Sequence, residues 1–505
     1  MNQVKAGAFL NYVIIALNTV VGLAYTPYML RCLGQNEYGL YSLVASIIAY
    51  LTLLDFGFGN AIIRYTAKFR AENKHAEQWE MFGMFLIIYT IIGIISFAGG
   101  LCLYFNVDTL FDRTMSTEDL AQAQTMMLLL SVNLAFTFPM SVFGAVITAY
   151  ENFVFQRVIN ILRILLSTGV MILVLAMGYK AVALVVIQTI FNLLTLLVNY
   201  VYCKEHIKIQ VVFHRFNWPF IKDVATYSFW IFLNAIMDKI YWGTGQFVLG
   251  AISGTIAVAI FSIAILFQQM YMQFSVAISN VLLPRLTSMV ALNHSDRDIS
   301  NLFIKTGRIQ CIILSFITSG FIVFGKQFIE LWAGNEYQQS FYIVLIFFIS
   351  LFVPLIQNTG ISILQARNQL KFRSCLYLVI SLTSLYFQIL LANKYGAMGC
   401  AMAIGIALII GQGIIMNIYY ACRQHIDITK FWGEILKMSI TPIALTVLGV
   451  ITTIHFSISN VSRLLLGIIL FSCVYMSAVW RLSLNHYERE LIISPIKRFL
   501  PLRKH

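Results

Sequence analysis

Runs of about twenty apolar residues recur from one end of this chain to the other, and each is long enough to cross a bilayer as a helix. A helix satisfies its own backbone polar groups, so such runs can sit in hydrocarbon. An outer-membrane barrel would instead show alternating segments of about ten residues, and the sequence has none. The composition agrees: of 505 residues, 59% are hydrophobic and 11% charged, with a mean hydropathy of +0.81. Soluble domains carry about 25% charged residues. The expected fold class is therefore an all-α polytopic membrane protein. The N-terminal stretch is apolar too early and for too long for a cleaved signal and lacks a small-x-small cleavage site, so it reads as the first permanent span.

About fourteen transmembrane helices are expected, near 6–29, 39–63, 81–104, 122–148, 158–177, 182–203, 225–249, 256–283, 305–324, 340–363, 374–392, 397–420, 437–455 and 463–481. One set of alternate loops holds about 26 Lys and Arg and the other about six, which by the positive-inside rule places both termini in the cytoplasm. Arg163 and Lys239 fall inside spans. This distribution also accounts for the net charge of +13 without nucleic acid, because no basic stripe exists to follow a phosphate backbone. The opposite loops are short, the longest being 105–121 and 325–339, too short for an external catalytic domain. The 204–224 linker and the basic tail mix cations with Phe, Trp, Val and Ile, and are expected to lie on the membrane surface and favour anionic lipids. The eight cysteines show no CxxC or Cys/His metal spacing and read as small buried hydrophobes.

An internal repeat organises the spans. NYVYCKEHIKI at 199–209 resembles NIYYACRQHIDI at 417–428, and GAVITAYENFVFQR at 144–157 resembles GISILQARNQLKFR at 360–373. Pro139 matches Pro354, Ser42 matches Ser262 and Asn60 matches Asn280, all in one order at nearly constant displacement. Six spans per half is even, so the halves share one orientation and relate by an axis along the membrane normal. The domain reading is an N-terminal six-helix lobe (1–203), a cytoplasmic interfacial linker (204–224), a C-terminal six-helix lobe (225–422), a terminal helix pair (423–482) and a basic cytoplasmic tail (483–505). Rocking of the lobes about a central cleft would give alternating access.

Polar groups inside spans are costly and face an interior or a cavity. Span 1 carries Asn11, Asn18 and Tyr25 on one face. Span 2 carries Asp55, Asn60 and Arg64 around DFGFGN, where Gly57 and Gly59 allow a break. Span 7 carries Asn234, Asp238 and Trp242 as a stripe flanked by Lys239 and Gln246, and span 8 carries Gln269, Gln273 and Asn280. Arg163 in span 5 adds a cation. Two readings stand for each charge: it serves transport, or it pairs with another helix to hold the bundle. Interhelical hydrogen bonding is the better reading for the amides. Asp55 has a further structural reading as part of a bend, and Arg64 one as an anchor on the inner side.

LGQNEYGLYSLVASI (33–47), LLDFGFGNAIIRYTAKFRAEN (53–73) and MDKIYWGTGQFVLGAISGTIAVAIFSIA (237–264) together resemble bacterial polysaccharide flippases of the Wzx type, within the multidrug/oligosaccharidyl-lipid/polysaccharide exporter superfamily. The resemblance covers most of the chain. It implies a non-enzymatic inner-membrane carrier that flips undecaprenyl-pyrophosphate-linked repeat units of O-antigen or capsule. Its partners would be the lipid-linked oligosaccharide, the bilayer and the polysaccharide polymerase machinery, with no nucleic acid. No cofactor is implied beyond coupling to H+ or Na+. Arg64, Arg163 and Lys239 would meet the anionic headgroup. Tyr25, Tyr241, Trp242, Gln269 and Gln273 would contact substrate, and Asp55 and Asp238 are candidates for the coupled ion. Where the family often has Arg after the span-7 Asp, this chain has Lys239, an ammonium rather than a bidentate fork. A lipid II flippase shares this logic. A multidrug exporter would need a net acidic cavity, whereas the in-span charges here are balanced or basic. A membrane glycan polymerase or ligase would need a substantial external loop with catalytic groups.

Overall fold

The computed structural model describes residues 3–213, 218–292, 294–455, 460–490 and 493. Among them every regular element is helical. The helices are α1 (Gln3–Leu51), α2 (Phe58–Ala71), α3 (His75–Phe111), α4 (Thr117–Ala149), α5 (Phe153–Ala176), α6 (Ala181–Tyr202), α7 (Trp218–Ile252), α8 (Thr255–Ala291), α9 (Asp296–Trp332), α10 (Gln338–Ile356), α11 (Thr359–Ala366), α12 (Lys371–Leu408), α13 (Met416–Cys422), α14 (Ile428–His455) and α15 (Val461–Leu482). The expected tail lies outside the described residues from 491 onward, apart from 493, as do 214–217 of the linker and the Asn280 side chain.

Eleven continuous helical runs among the described residues are long and apolar enough to cross a membrane, against fourteen expected spans. The difference arises at three places. Spans 1 and 2 share one run because the chain turns at Gly34 (φ 74°) with no intervening coil. Spans 11 and 12 likewise share one run across Gly396 (φ 54°). Glycine meets these left-handed conformations without the steric cost a Cβ brings. The third is α7, 35 residues long, several of whose side chains lie outside the described residues.

The exterior is apolar as well as the interior. Leu162, Leu165, Leu166 and Leu173 of α5 and Leu465, Leu466, Ile469 and Leu470 of α15 are exposed, as a lipid-facing surface requires. The interiors admit small and polar groups. Ser131 is fully buried on α4 and leaves no space for a side chain at Gly100 of α3. A Cβ at Gly93 would stand 2.6 Å from the Ala135 carbonyl, which Pro139 cannot pair because proline has no N–H. Close backbone approach of this kind holds helices together where lipid offers no hydrophobic contrast.

The chain forms two compact units, residues 1–262 with 392–397, and residues 263–391 with 398–505. The first therefore extends past the 204–224 linker to take in α7. Within it, the described part of the linker runs against α3: the Val212 amide donates to the Trp79 carbonyl (3.2 Å), and Val212 fills the space beside Gly83. Near the Gly34 turn, the buried Glu37 carboxylate accepts from the Ala181 amide (3.2 Å) and pairs with Lys180 (3.0 Å). In the second unit, Arg308 is buried between two carboxylates: Glu488 at 2.5 Å and Glu434 at 2.8 Å. A tally of loop charge does not register this burial.

The backbone carries the repeat. Left-handed residues recur in pairs, Gly34 with Gly254, Glu151 with Asn368, Gly178 with Gly396 and Lys208 with His425. The turn bonds Tyr150 N to Val146 O, Glu151 N to Thr148 O and Asn152 N to Ile147 O reappear as Arg367 to Ile363, Asn368 to Gln365 and Gln369 to Leu364, each displaced by 217 residues. The Phe155–Tyr202 stack (3.7 Å) reappears as Phe372–Tyr419 (4.1 Å) at the same displacement. This register corrects the side-chain matches slightly: Asn368 corresponds to Glu151 rather than Asn152, because the turn conformation is what is repeated.

Candidate functional site

The site begins with a broken helix. After Leu51 the chain tightens into a 3₁₀ turn over Thr52–Asp55; Phe56 (φ 51°) and Gly57 (φ 74°) are left-handed, and α2 starts at Phe58. Gly57 adopts this conformation freely, whereas Phe56 does so at a cost of about 1–2 kcal/mol. Its ring packs on Phe232 of α7, centroids 4.6 Å apart. A helix that starts within an apolar run also leaves its first N–H groups without intrahelical partners. The Asp55 carboxylate faces the Gly57 and Gly59 amides. It also accepts a 2.6 Å hydrogen bond from Tyr89 of α3, a fully buried ring set edge-on to Phe58.

Across from the break lies α7. The Tyr50 hydroxyl donates toward the Lys239 carbonyl (3.2 Å) and meets Thr244 Oγ1 at 2.7 Å, pinning α7 to the end of α1. Between the break and α7 is a cavity of about 370 Å³ lined by Thr52, Asp55, Asn60, Phe232, Asp238 and Lys239, among others. The structure thus brings together Asp55, Asp238 and Lys239 of the expected site.

The other expected residues lie elsewhere. Arg64 is exposed on α2, 5.8 Å over the Tyr65 ring, and does not line the cavity. Arg163 is half-buried on α5, away from the cavity, with no carboxylate paired to it among the described residues. Tyr25 is half-buried, and its enclosed hydroxyl has no hydrogen-bond partner among the described residues. Tyr241 is fully buried with its ring edge-on to Trp242 (4.9 Å), a packing position in this conformation. Gln269 and Gln273 are exposed on α8, in the second unit. The cavity therefore carries two carboxylates against one lysine. The expected balanced or basic charge rested on Arg64 and Arg163, which lie outside it. Sequence reasoning missed Tyr89 and Tyr50, since nothing in the spacing links a tyrosine in one apolar span to a carboxylate or a carbonyl in another.

A second cavity, about 810 Å³, lies wholly in the second unit among α9, α14 and α15, lined by Leu445, Leu448, Leu466 and Leu470 with His455 and Arg463. Among the described residues no group of three or more His, Cys, Asp or Glu side chains could hold a metal ion.

A bundle of membrane-length helices with a charged cavity at a helix break defines a multi-pass membrane protein. Solved structures share the fold. An inward closed conformation of the lipid II flippase MurJ is 16% identical with a TM-score of 0.70, covering 94% of this chain and 98% of that one. An inward-facing multidrug resistance MATE family transporter of the MOP superfamily is 12% identical with a TM-score of 0.65, covering 84% and 99%. The profile of a family described as polysaccharide biosynthesis protein matches residues 4–290, more than half of the chain, and the chain belongs to that family. A candidate O-antigen transporter of Shigella flexneri is 22% identical over 422 residues, 80% of this chain and 94% of that protein. The relatives are named as transporters and flippases rather than catalysts, and this chain is a membrane transporter by its family.

Proposed function

We propose that this protein flips undecaprenyl-pyrophosphate-linked oligosaccharide repeat units from the inner to the outer leaflet of the bacterial inner membrane, for O-antigen or capsule synthesis. The observation that carries the reading is the cavity at the helix break in which Lys239 stands beside Asp55 and Asp238, in a chain of the polysaccharide biosynthesis family. A pyrophosphate leaving water needs compensating cations. Lys239 supplies one in the cavity, and Arg64 and Arg163 supply others as the lobes rock. Tyr25 and Trp242 offer faces to sugars, Tyr241 does so once its burial is relieved, and Gln269 and Gln273 offer amides. Asp55 and Asp238 are the groups that would couple transport to H+ or Na+. In this reading both termini are cytoplasmic, the two six-helix lobes (1–203 and 225–422) alternate access, and the product passes to the polymerase machinery.

The test is the fate of lipid-linked oligosaccharide in cells lacking the protein, complemented by wild type or by Arg64, Arg163 and Lys239 alanine variants. Accumulation on the cytoplasmic face, relieved only by wild type, supports flipping and its cationic residues. Normal surface glycan without accumulation sinks the proposal. One observation favours a second reading, export of cationic drugs: the excess of carboxylate in the cavity. In that case the same deletion strain becomes drug-sensitive while its glycan stays intact.

A further inference from the structure

We propose that the seam between Asn36, Gly39 and Thr114 on one side and Gly250 and Thr255 on the other is the outer gate of the transporter, the contact that parts to release substrate beyond the membrane. The inference rests on the alternating-access reading and the orientation given above.

Four left-handed glycine turns, at Gly34, Gly178, Gly254 and Gly396, stand on the side away from the basic loops, and all four belong to the first compact unit. In the repeat, Gly34 corresponds to Gly254 and Gly178 to Gly396. Their contacts form a chain. The Gly34 turn meets the Gly178 turn through Glu37, which pairs with Lys180 and accepts from the Ala181 amide. The Gly254 turn meets the Gly396 turn, where a Cβ at Gly396 would stand 3.9 Å from Ser253 Oγ. Each of these contacts lies within one half. Between the halves the Thr255 hydroxyl donates to the Asn36 side-chain oxygen, and the Thr114 hydroxyl donates to the Gly250 carbonyl (2.7 Å). Asn36 is aimed from its own half: its amide nitrogen donates to Asp119 (2.8 Å), which also receives the Ser116 hydroxyl at the start of α4.

The seam is built to part. The contact inside the first half is ionic, with Glu37 buried. The two bonds across the seam join neutral groups, and exchanging such a bond for water shifts an equilibrium by at most about tenfold. The surfaces meet as backbone. A side chain at Gly39 would overlap the Thr255 carbonyl, and a Cβ at Gly254 would stand 3.2 Å from the Thr114 carbonyl. Glycine on both faces lets them separate without withdrawing interlocked side chains. Beneath the seam, Leu43 is fully buried against Gly250, where a Cβ would stand 2.7 Å from it. Leu43 becomes reachable from outside only when the Gly254 turn lifts.

Two measurements on the full-length protein in cells test this. In a Cys32→Ser background, Leu43→Cys is exposed to a membrane-impermeant maleimide. Labelling should be slow with the native seam, and faster by up to about tenfold when Thr114→Val or Asn36→Ala removes a bond across it. Equal rates in all three, or labelling confined to inverted vesicles, overturn the outer gate. In the second measurement, a short bis-methanethiosulfonate linker joins either Asn36→Cys with Thr255→Cys, across the seam, or Glu37→Cys with Lys180→Cys, within one half. The first linkage should block transport, read as lipid-linked oligosaccharide held on the cytoplasmic face, and dithiothreitol should restore it. The second should leave transport intact. Transport that survives the first linkage, or is lost equally with the second, overturns the seam as the part that opens. If deleting the protein leaves lipid-linked oligosaccharide unchanged, the flippase reading fails, and Leu43→Cys labelling still decides the gate.

Discussion

Removing Glu488 tests the strongest electrostatic feature of the second unit. The Arg308 guanidinium donates from Nε to Glu488 Oε1 (2.5 Å), from Nη2 to Glu488 Oε2 (3.0 Å) and from Nη1 to Glu434 Oε2 (2.8 Å), with a further bond from Nη2 to the Ser483 carbonyl (3.2 Å). The Arg308 and Glu488 side chains are 7% and 2% exposed, whereas Glu434 is 37% exposed. Breaking a buried pair by removing one partner costs about 3–5 kcal/mol. Arg308 keeps Glu434 in Glu488→Ala, so the lower end applies, about 3 kcal/mol. That corresponds to about a hundredfold shift toward the undocked state of the 483–490 segment. Hydrogen exchange of that segment in the detergent-purified protein reads the shift directly. The double variant Arg308→Met with Glu488→Leu removes both charges and should recover most of the protection, because an apolar pair of similar volume avoids the buried unpaired charge. An exchange rate in Glu488→Ala within about threefold of wild type would place the pair among weak surface contacts and refute the reasoning.

Three further outcomes are expected. Gly83→Val should displace the linker from α3, since even a Cβ at that position meets the Val212 carbonyl, and should be read as faster proteolysis between 204 and 224. A membrane-impermeant maleimide applied to intact cells should label the exposed Cys32 beside Arg31, while the exposed Cys422 beside Arg423 should react only in inverted vesicles; the reverse pattern refutes cytoplasmic termini. The Glu37 carboxylate holds the Lys180 ammonium above its ordinary value. The pair's contribution is therefore fully present below the ordinary lysine value of about 10.4 and is lost only as pH rises through the raised one. Thermal stability of wild type and Lys180→Met should differ at neutral pH and converge in strong alkali, and a difference that persists there would show that Lys180 acts through packing.

The membrane architecture was legible because hydrocarbon imposes length and apolarity on each span, and those are properties of contiguous sequence. The break at Asp55–Gly57 was legible too, because DFGFG places two glycines beside a carboxylate within an apolar run. What could not be read were partners far along the chain. Tyr89 lies 34 residues from Asp55, and Glu434 and Glu488 lie 126 and 180 residues from Arg308. A tally of loop charge is silent about the burial of Arg308, since it treats every cation as solvated. Which charges share a cavity could not be read for a related reason. Helical periodicity gives the face of a residue on its own helix, but not what that face meets.

One expected span bears on function more than the others. Gly34 and Gly396 join neighbouring helices, whereas α7 carries Asn234, Asp238, Lys239 and Gln246 within one long helix. A span facing only lipid could not carry that load, because each charge in hydrocarbon costs several kcal/mol, about 3 at the helix centre on insertion scales. The load is tolerable where the polar groups have a cavity and the neighbouring helices to face, as Asp238 and Lys239 do here. In-span charge in α7 therefore marks the helix that brings Asp238 and Lys239 to the site. The regular apolar runs on either side describe the bundle that holds it.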